Sequence, residues 1–150
     1  MNKKTFSKKF ISILAFVLSF TFACSPLASA ANVDTDDVIS PQSLYTPTQL
    51  WNWNNGPYEF SGVADSSDLY TNYYFTNASQ VVIHVDNLHE TERLKVRVII
   101  KRDQGIQIST DTTYIEPGHS EEWTVNLDSN KSYFLRFSGP SDFEGWINRS

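Results

Sequence analysis

From Tyr58 onward, apolar residues recur at every second position and not at every third or fourth. Leu94, Val96, Val98 and Ile100 alternate with Lys95, Arg97 and Lys101, and only Ile99 interrupts the polar side. Trp123, Val125 and Leu127 alternate with Glu122, Thr124 and Asn126, and Tyr133, Leu135 and Phe137 with Phe134, Arg136 and Ser138. Val81, Ile83 and Val85 form a fourth set, opposite Val82, His84 and Asp86. Successive side chains of an extended chain point to opposite faces, so each run presents one apolar face to a core. The same pattern predicts strands over 58–64, 69–76, 106–110, 112–116 and 143–148. Turn-forming residues separate them at Thr76-Asn77-Ala78-Ser79, Asp86-Asn87, Asp103-Gln104-Gly105, Pro117-Gly118, Asp128-Ser129-Asn130 and Gly139-Pro140.

About eight short strands with one apolar face each predict an all-β domain over residues 58–150. The expected architecture is an antiparallel two-sheet β-sandwich, with a closed barrel as the alternative. A hairpin is expected where the strand over 94–101 meets that over 106–110 through Asp103-Gln104-Gly105. No window after residue 30 carries an amphipathic helix, and no internal repeat at a fixed period is present.

Residues 31–57 follow neither period. Asn32-Val33-Asp34-Thr35-Asp36-Asp37 is polar and acidic, and Pro41, Pro47 and Pro57 punctuate the remainder, which predicts a mostly irregular, extended N-terminal segment. Within it, Trp51-Asn52-Trp53-Asn54-Asn55-Gly56-Pro57 places two tryptophans on one face of an extended chain, ahead of an Asn-Gly-Pro turn.

The first 30 residues read as a cleaved secretory signal peptide. Met1 to Lys9 is basic, Phe10 to Ala23 is uncharged, and Ala28-Ser29-Ala30 is a small-x-small cleavage pattern, with Ala31 as the expected first mature residue. The apolar stretch is about 14 residues, short of the roughly 20 that cross a bilayer as a helix, so no stable membrane anchoring is expected. Thr21 and Phe22 stand where a lipoprotein signal carries an aliphatic and a small residue, so Cys24 is not expected to be lipidated. The lysine-rich start resembles the secretory signals of bacteria, Gram-positive ones in particular. A secreted, extracellular protein is the expectation.

Removing that signal changes the charge. Eight Lys and Arg then face seventeen Asp and Glu, a formal charge of −9, and no cysteine remains. The acidic balance argues against nucleic acid or an anionic membrane as partner, since no basic stripe is evident to release counterions. The absence of cysteine excludes disulfides and thiol-ligated zinc from the mature chain.

Catalytic and metal-binding patterns are missing. His84, His89 and His119 are unpaired in sequence, and His89-Glu90 lacks the second histidine of a zinc-protease helix. Asp34, Asp36 and Asp37 lack the glycine and bidentate glutamate of a calcium loop; Asp65 and Asp68 are the better-placed carboxylates, but nothing in sequence makes them converge. No serine lies in a nucleophile elbow, and seventeen carboxylates offer too many pairs for any one to mark a glycosidase. Neither a cofactor, a metal nor a catalytic residue is expected, and the chain reads as non-enzymatic. The three Asn-x-Ser/Thr triplets, at Asn77, Asn130 and Asn148, are ordinary turn residues in a bacterial protein.

Aromatic residues supply the positive signal. Sixteen of the 120 residues after the signal are Trp, Tyr or Phe. Trp123, Tyr133, Phe137, Phe60 and Phe75 fall on or beside apolar faces and belong to the core. Trp51, Trp53, Tyr73 and Trp146 are harder to place inside and become the candidate ligand-binding residues. Flat rings beside asparagine amides suit a sugar, because the ring stacks on C–H faces while amides meet hydroxyls. For Trp51 and Trp53 the competing reading is a staple that fastens the N-terminal segment to the sandwich. The expected partner is an extracellular glycan or cell-wall polymer. The alternative is another secreted protein, with the chain as a structural or oligomer-forming subunit; a toxin, inhibitor or hydrolase ranks below both.

Overall fold

The computed structural model describes residues 40–102 and 107–150. Residues 1–39, which include the expected signal peptide, and residues 103–106, which include the expected Asp103-Gln104-Gly105 turn, lie outside the described residues. Among the described residues, eleven strand segments occur in chain order: β1 Ser40–Pro41, β2 Gln49–Leu50, β3 Tyr58–Ala64, β4 Leu69–Tyr70, β5 Tyr73–Tyr74, β6 Gln80–Asn87, β7 Leu94–Ile100, β8 Ile108–Ile115, β9 Ser120–Asn126, β10 Tyr133–Ser138 and β11 Ser141–Arg149. Five of them form a sheet in the order β1-β3-β11-β6-β9, and four form a second sheet in the order β4-β10-β7-β8. The two sheets pack face to face as a β-sandwich, and no barrel closes. The long pairings are antiparallel; parallel pairing is confined to the two-residue contacts of β1 with β3 and β2 with β5.

The core follows the alternation. Phe60, Val81, Ile83, Val85, Phe143 and Ile147 from the five-stranded sheet meet Leu94, Val96, Val98, Leu135 and Phe137 from the other, all at most 2 % exposed. At the centre Phe137 stacks on Phe143 with centroids 3.9 Å apart and planes 18° from parallel, while Phe60 lies 5.2 Å from Phe137. Trp123 sits half-buried against this core and donates its indole N–H to Asp111 Oδ2 at 3.0 Å.

Two strand expectations change. The strand expected over 69–76 breaks into β4 and β5, because the chain leaves the four-stranded sheet at Thr71 and Tyr73–Tyr74 pairs with β2 instead. Thr71 is fully buried at the break; its hydroxyl accepts the Leu135 N–H at 3.2 Å and donates to the Tyr73 carbonyl at 2.9 Å, which replaces the lost ladder bonds. Conversely, the two strands expected over 106–110 and 112–116 are one strand, β8, with a register shift opposite Val98 and Ile99. The bulge absorbs the break in alternation, so β8 pairs with β7 along its length as the expected hairpin.

Asn87, read from sequence as a turn residue, ends β6 inside the protein at 1 % exposure. Its amide donates to the Glu92 carbonyl at 2.9 Å and to the Ile115 carbonyl at 3.0 Å, and its Oδ1 accepts the His89 N–H at 3.2 Å. One side chain thus ties the segment after β6 to the end of β8. Asn87→Ala is expected to cost about 1–3 kcal/mol, because the buried Ile115 carbonyl is left without its donor and the less buried Glu92 carbonyl and His89 N–H lose theirs. Urea denaturation should show a lower midpoint at an unchanged slope.

The turn between β9 and β10 is closed by Asp128, whose Oδ1 accepts the Asn130 N–H at 3.0 Å and whose Oδ2 pairs with Lys131 at 3.1 Å. The Asn130 N–H first, then Lys131, hold its carboxyl below the ordinary value of 3.8. This contribution is present above that ordinary value and is lost as pH falls through the lowered folded value.

Candidate functional site

The segment 51–57 is built by its own asparagines. Asn52 caps a 3-10 turn over Trp53–Asn55, its side chain accepting the Asn54 N–H at 3.0 Å, and Gly56 leaves the turn at φ 88°, a value that favours glycine. The Trp51 N–H bonds to the Tyr74 carbonyl at 2.9 Å, continuing the contact of β2 with β5.

Both indoles are anchored. The Trp51 indole N–H donates to the Gly56 carbonyl at 3.1 Å, and its ring lies 5.1 Å from Tyr58 and 5.4 Å, edge-on, from Tyr73. The Trp53 indole N–H donates to the Thr76 carbonyl at 3.0 Å, and its ring stacks on Phe75 at 5.3 Å. Trp51, Trp53 and Tyr73 are all half-buried against the core, so the staple geometry is present. Trp51 and Trp53 nevertheless also border open space. A groove of about 370 Å³ is lined by Trp51 and Trp53 together with Leu50, Asn52, Asn54, Thr76, Asn77 and Arg149. Asn77 holds its place there at φ 56°, in the left-handed region asparagine tolerates. Arg149 makes no ion pair among the described residues.

Of the four sequence candidates, Trp51, Trp53 and Tyr73 are brought together and Trp146 is not. Trp146 stands on the outer face of the five-stranded sheet, beside His84 on β6, with ring centroids 5.5 Å apart and planes 16° from parallel. His84 in turn contacts Asp86 at 3.3 Å and lies 3.8 Å from Glu122. Asn77 and Arg149 were not candidates in sequence. Asn77 looks like any turn residue there, and Arg149 reaches the groove only because β11 runs beside β6, whose start follows the Asn77 turn.

Asp65 and Asp68 part company in the fold: Asp68 pairs with Arg136, while Asp65 lines a separate groove of about 400 Å³ with His89, Glu92 and Asp142. Among the described residues no three His, Asp or Glu side chains are placed to hold a metal ion. No helix among them is long and apolar enough to cross a membrane.

No family model and no curated protein matches the chain. Among solved structures, it is similar to CsCBM6-3 from Clostridium stercorarium in complex with cellobiose, at 14% identity and TM-score 0.39 over 68% of this chain and 80% of that one. A family 6 carbohydrate-binding module dissected by binding sub-site is similar at 8% identity and TM-score 0.34, over 59% and 71% of the two chains. BtGH115A, a family GH115 4-O-methyl-α-glucuronidase with specificity for decorated arabinogalactans, matches at 12% identity and TM-score 0.34; the match spans 67% of this chain but 15% of that enzyme. These values leave the description of the site to this chain's own residues.

Proposed function

We propose that the chain is a secreted, non-catalytic β-sandwich that binds a carbohydrate chain, such as a cell-wall polysaccharide, in the groove beside Trp51 and Trp53. The observation that carries this reading is the pairing of two fixed indole edges with the side chains of Asn52, Asn54, Asn77 and Arg149 along one open groove. The rings are held by N–H bonds and by Tyr58, Tyr73 and Phe75, so little ordering entropy is lost when a sugar ring meets them. The amides and the guanidinium supply the donors and acceptors that hydroxyls need.

The test is pull-down of the purified protein on insoluble polysaccharides and on isolated bacterial cell walls, with tryptophan fluorescence followed as soluble fragments are added. Saturable binding is expected. Because Trp51 and Trp53 also hold the fold, the informative variant is Asn54→Ala/Arg149→Ala, at two exposed positions. It should weaken binding about tenfold or more, equivalent to about 1.4 kcal/mol, with an unchanged melting temperature. Failure of the native protein to bind any polymer, or binding that the double variant leaves intact, would remove this reading.

A further inference from the structure

The two outer faces of the sandwich carry opposite charge. On the five-stranded sheet, alternation turns Glu59, Asp86, Glu122, Asp142 and Glu144 outward around Trp146, and no Lys or Arg joins them. On the four-stranded sheet, Lys95 and Arg97 of β7 and Arg136 of β10 project outward. Arg93 joins that face, its guanidinium 4.5 Å above the Tyr114 ring and 3.7 Å from the Glu116 carboxylate, and Lys101 follows at the end of β7 with its ammonium 4.9 Å above the Tyr74 ring. Five of the eight basic residues beyond the signal therefore gather on one side of the molecule.

Each face also holds a like-charge pair directly across the ladder. Asp86 faces Glu144 on one sheet, and Arg97 faces Arg136 on the other. Directly opposed like charges destabilise a sheet. Local partners relieve these pairs in part, and Arg97 donates from its Nη2 to the Ser138 hydroxyl at 3.1 Å. Asp86 accepts the Ser120 hydroxyl and contacts His84, and Arg136 pairs with Asp68. Glu144 and Arg97 have no ion pair among the described residues, and the Arg97 Nε is buried without an acceptor.

We propose that these faces are complementary halves of one interface, so that the acidic face of one copy docks on the basic face of the next. The partner is a second copy of this chain, chosen by charge complementarity. The contact is heterologous, because the two surfaces differ, and a heterologous contact that does not close propagates as a stack. Trp146, at the centre of the acidic face, supplies the flat aromatic anchor, and Lys95 or Arg97 the cation to lie over it. Size sets the strength. Strands β10, β7 and β8 at about 4.8 Å spacing and about seven residues of 3.4 Å rise give at most roughly 340 Å² per copy, since β4 is only two residues long and Ile99 and Phe134 on that side are buried. The total of at most about 700 Å² is below the range of stable complexes, so association is weak, dependent on protein concentration and driven by electrostatics. It is independent of the Trp51–Trp53 groove.

Sedimentation equilibrium of the purified protein tests the idea. The average mass should climb with concentration at low ionic strength, around 20 mM salt, and return to the monomer at about 500 mM, where the screening length is only a few ångströms. Lys95→Glu/Arg97→Glu/Lys101→Glu makes both faces acidic, and Glu59→Lys/Glu122→Lys/Glu144→Lys makes both basic. Each variant alone should associate at least tenfold more weakly, and an equimolar mixture should recover the native behaviour. The neutral variant Lys95→Gln/Arg97→Gln should fall in between, which guards against a charge reversal that fails to fold. A monomer at every ionic strength, or association that neither reversal changes, would overturn the proposal. So would a monomer whose basic face captures polygalacturonate or a single-stranded oligonucleotide, since the face would then serve a polyanion.

Discussion

Gly145→Ala is expected to destabilise the protein by about 3 kcal/mol or more, out of a total that for a domain of this size is about 5–15 kcal/mol. Gly145 lies in the middle of β11, the central strand of the five-stranded sheet, in register with Phe60 of β3 and Val85 of β6. A methyl group there would overlap the His84 carbonyl oxygen and stand 3.0 Å from both the Val85 Cα and the Phe60 ring. Two of these neighbours are backbone and cannot rotate away, so β6 and β11 would have to separate and lengthen several ladder bonds. Gly118→Ala is the control. Gly118 needs glycine for its φ of 67°, yet nothing lies within 4 Å of the added carbon, so the cost is limited to about 1–2 kcal/mol of backbone strain. Urea denaturation of both variants beside the native protein separates the two effects. Equal, mild losses would mean that β6 and β11 do not approach so closely.

Phe137→Ala should cost about 3–5 kcal/mol, the range for deleting a buried phenyl ring. Phe137 is the one member of the central aromatic trio that comes from the four-stranded sheet, and it is fully buried. Its ring stacks on Phe143 and tilts against Phe60, so it bridges the two layers at their midpoint. Removing it leaves a cavity walled by two rigid rings and two sheets, which cannot collapse cheaply. Phe137→Leu, which fills part of the volume, should recover about half of the loss. The expected readout is a lowered midpoint with an unchanged slope; a loss no greater than that of an exposed position would mean the sheets do not meet through this ring.

Much of this frame is legible in the alternation itself. The runs at 81–85, 94–100 and 133–137 are strands where their period places them, and their apolar parity is the buried one. Phe134 and Ile99 are the exceptions. They carry the outward parity of β10 and β7, sit opposite each other in the ladder, and are nevertheless buried. Sequence could not have separated them from a solvent-facing pair, because burial on that side depends on what the rest of the chain lays over the sheet. The break at Thr71 was hidden for a similar reason. Tyr70, Tyr73 and Tyr74 all favour extended backbone, and only the competing partners Leu135 and Leu50 decide where one strand ends and the next begins.

The candidate site was half legible. Trp51 and Trp53 stand out because indoles among asparagines have no place in a strand pattern, and they do line the groove. Their anchoring to Gly56 and Thr76 and their packing on Tyr58 and Phe75 come from contacts with later parts of the chain. Trp146 shares their composition signal but not their place, since β11 turns it to the opposite parity from Phe143 and Ile147.

By itself the sequence determined that this chain makes short strands with one apolar face, that this face must be covered by a second sheet or by closure into a barrel, and that residues 51–57 break the pattern. These follow from local stereochemistry and from the need to bury apolar surface, which act residue by residue. Only the tertiary structure decided which strands are neighbours, and with that where charge accumulates. A formal charge of −9 over residues 31–150 leaves no basic stripe in view along the chain; folded, the same residues separate into an acidic sheet face and a basic one, because β7 and β10 lie side by side in one sheet while β3, β6, β9 and β11 belong to the other. Parity tells each side chain to face outward, but which outward side it shares, and with whom, is set by pairings between residues far apart in sequence.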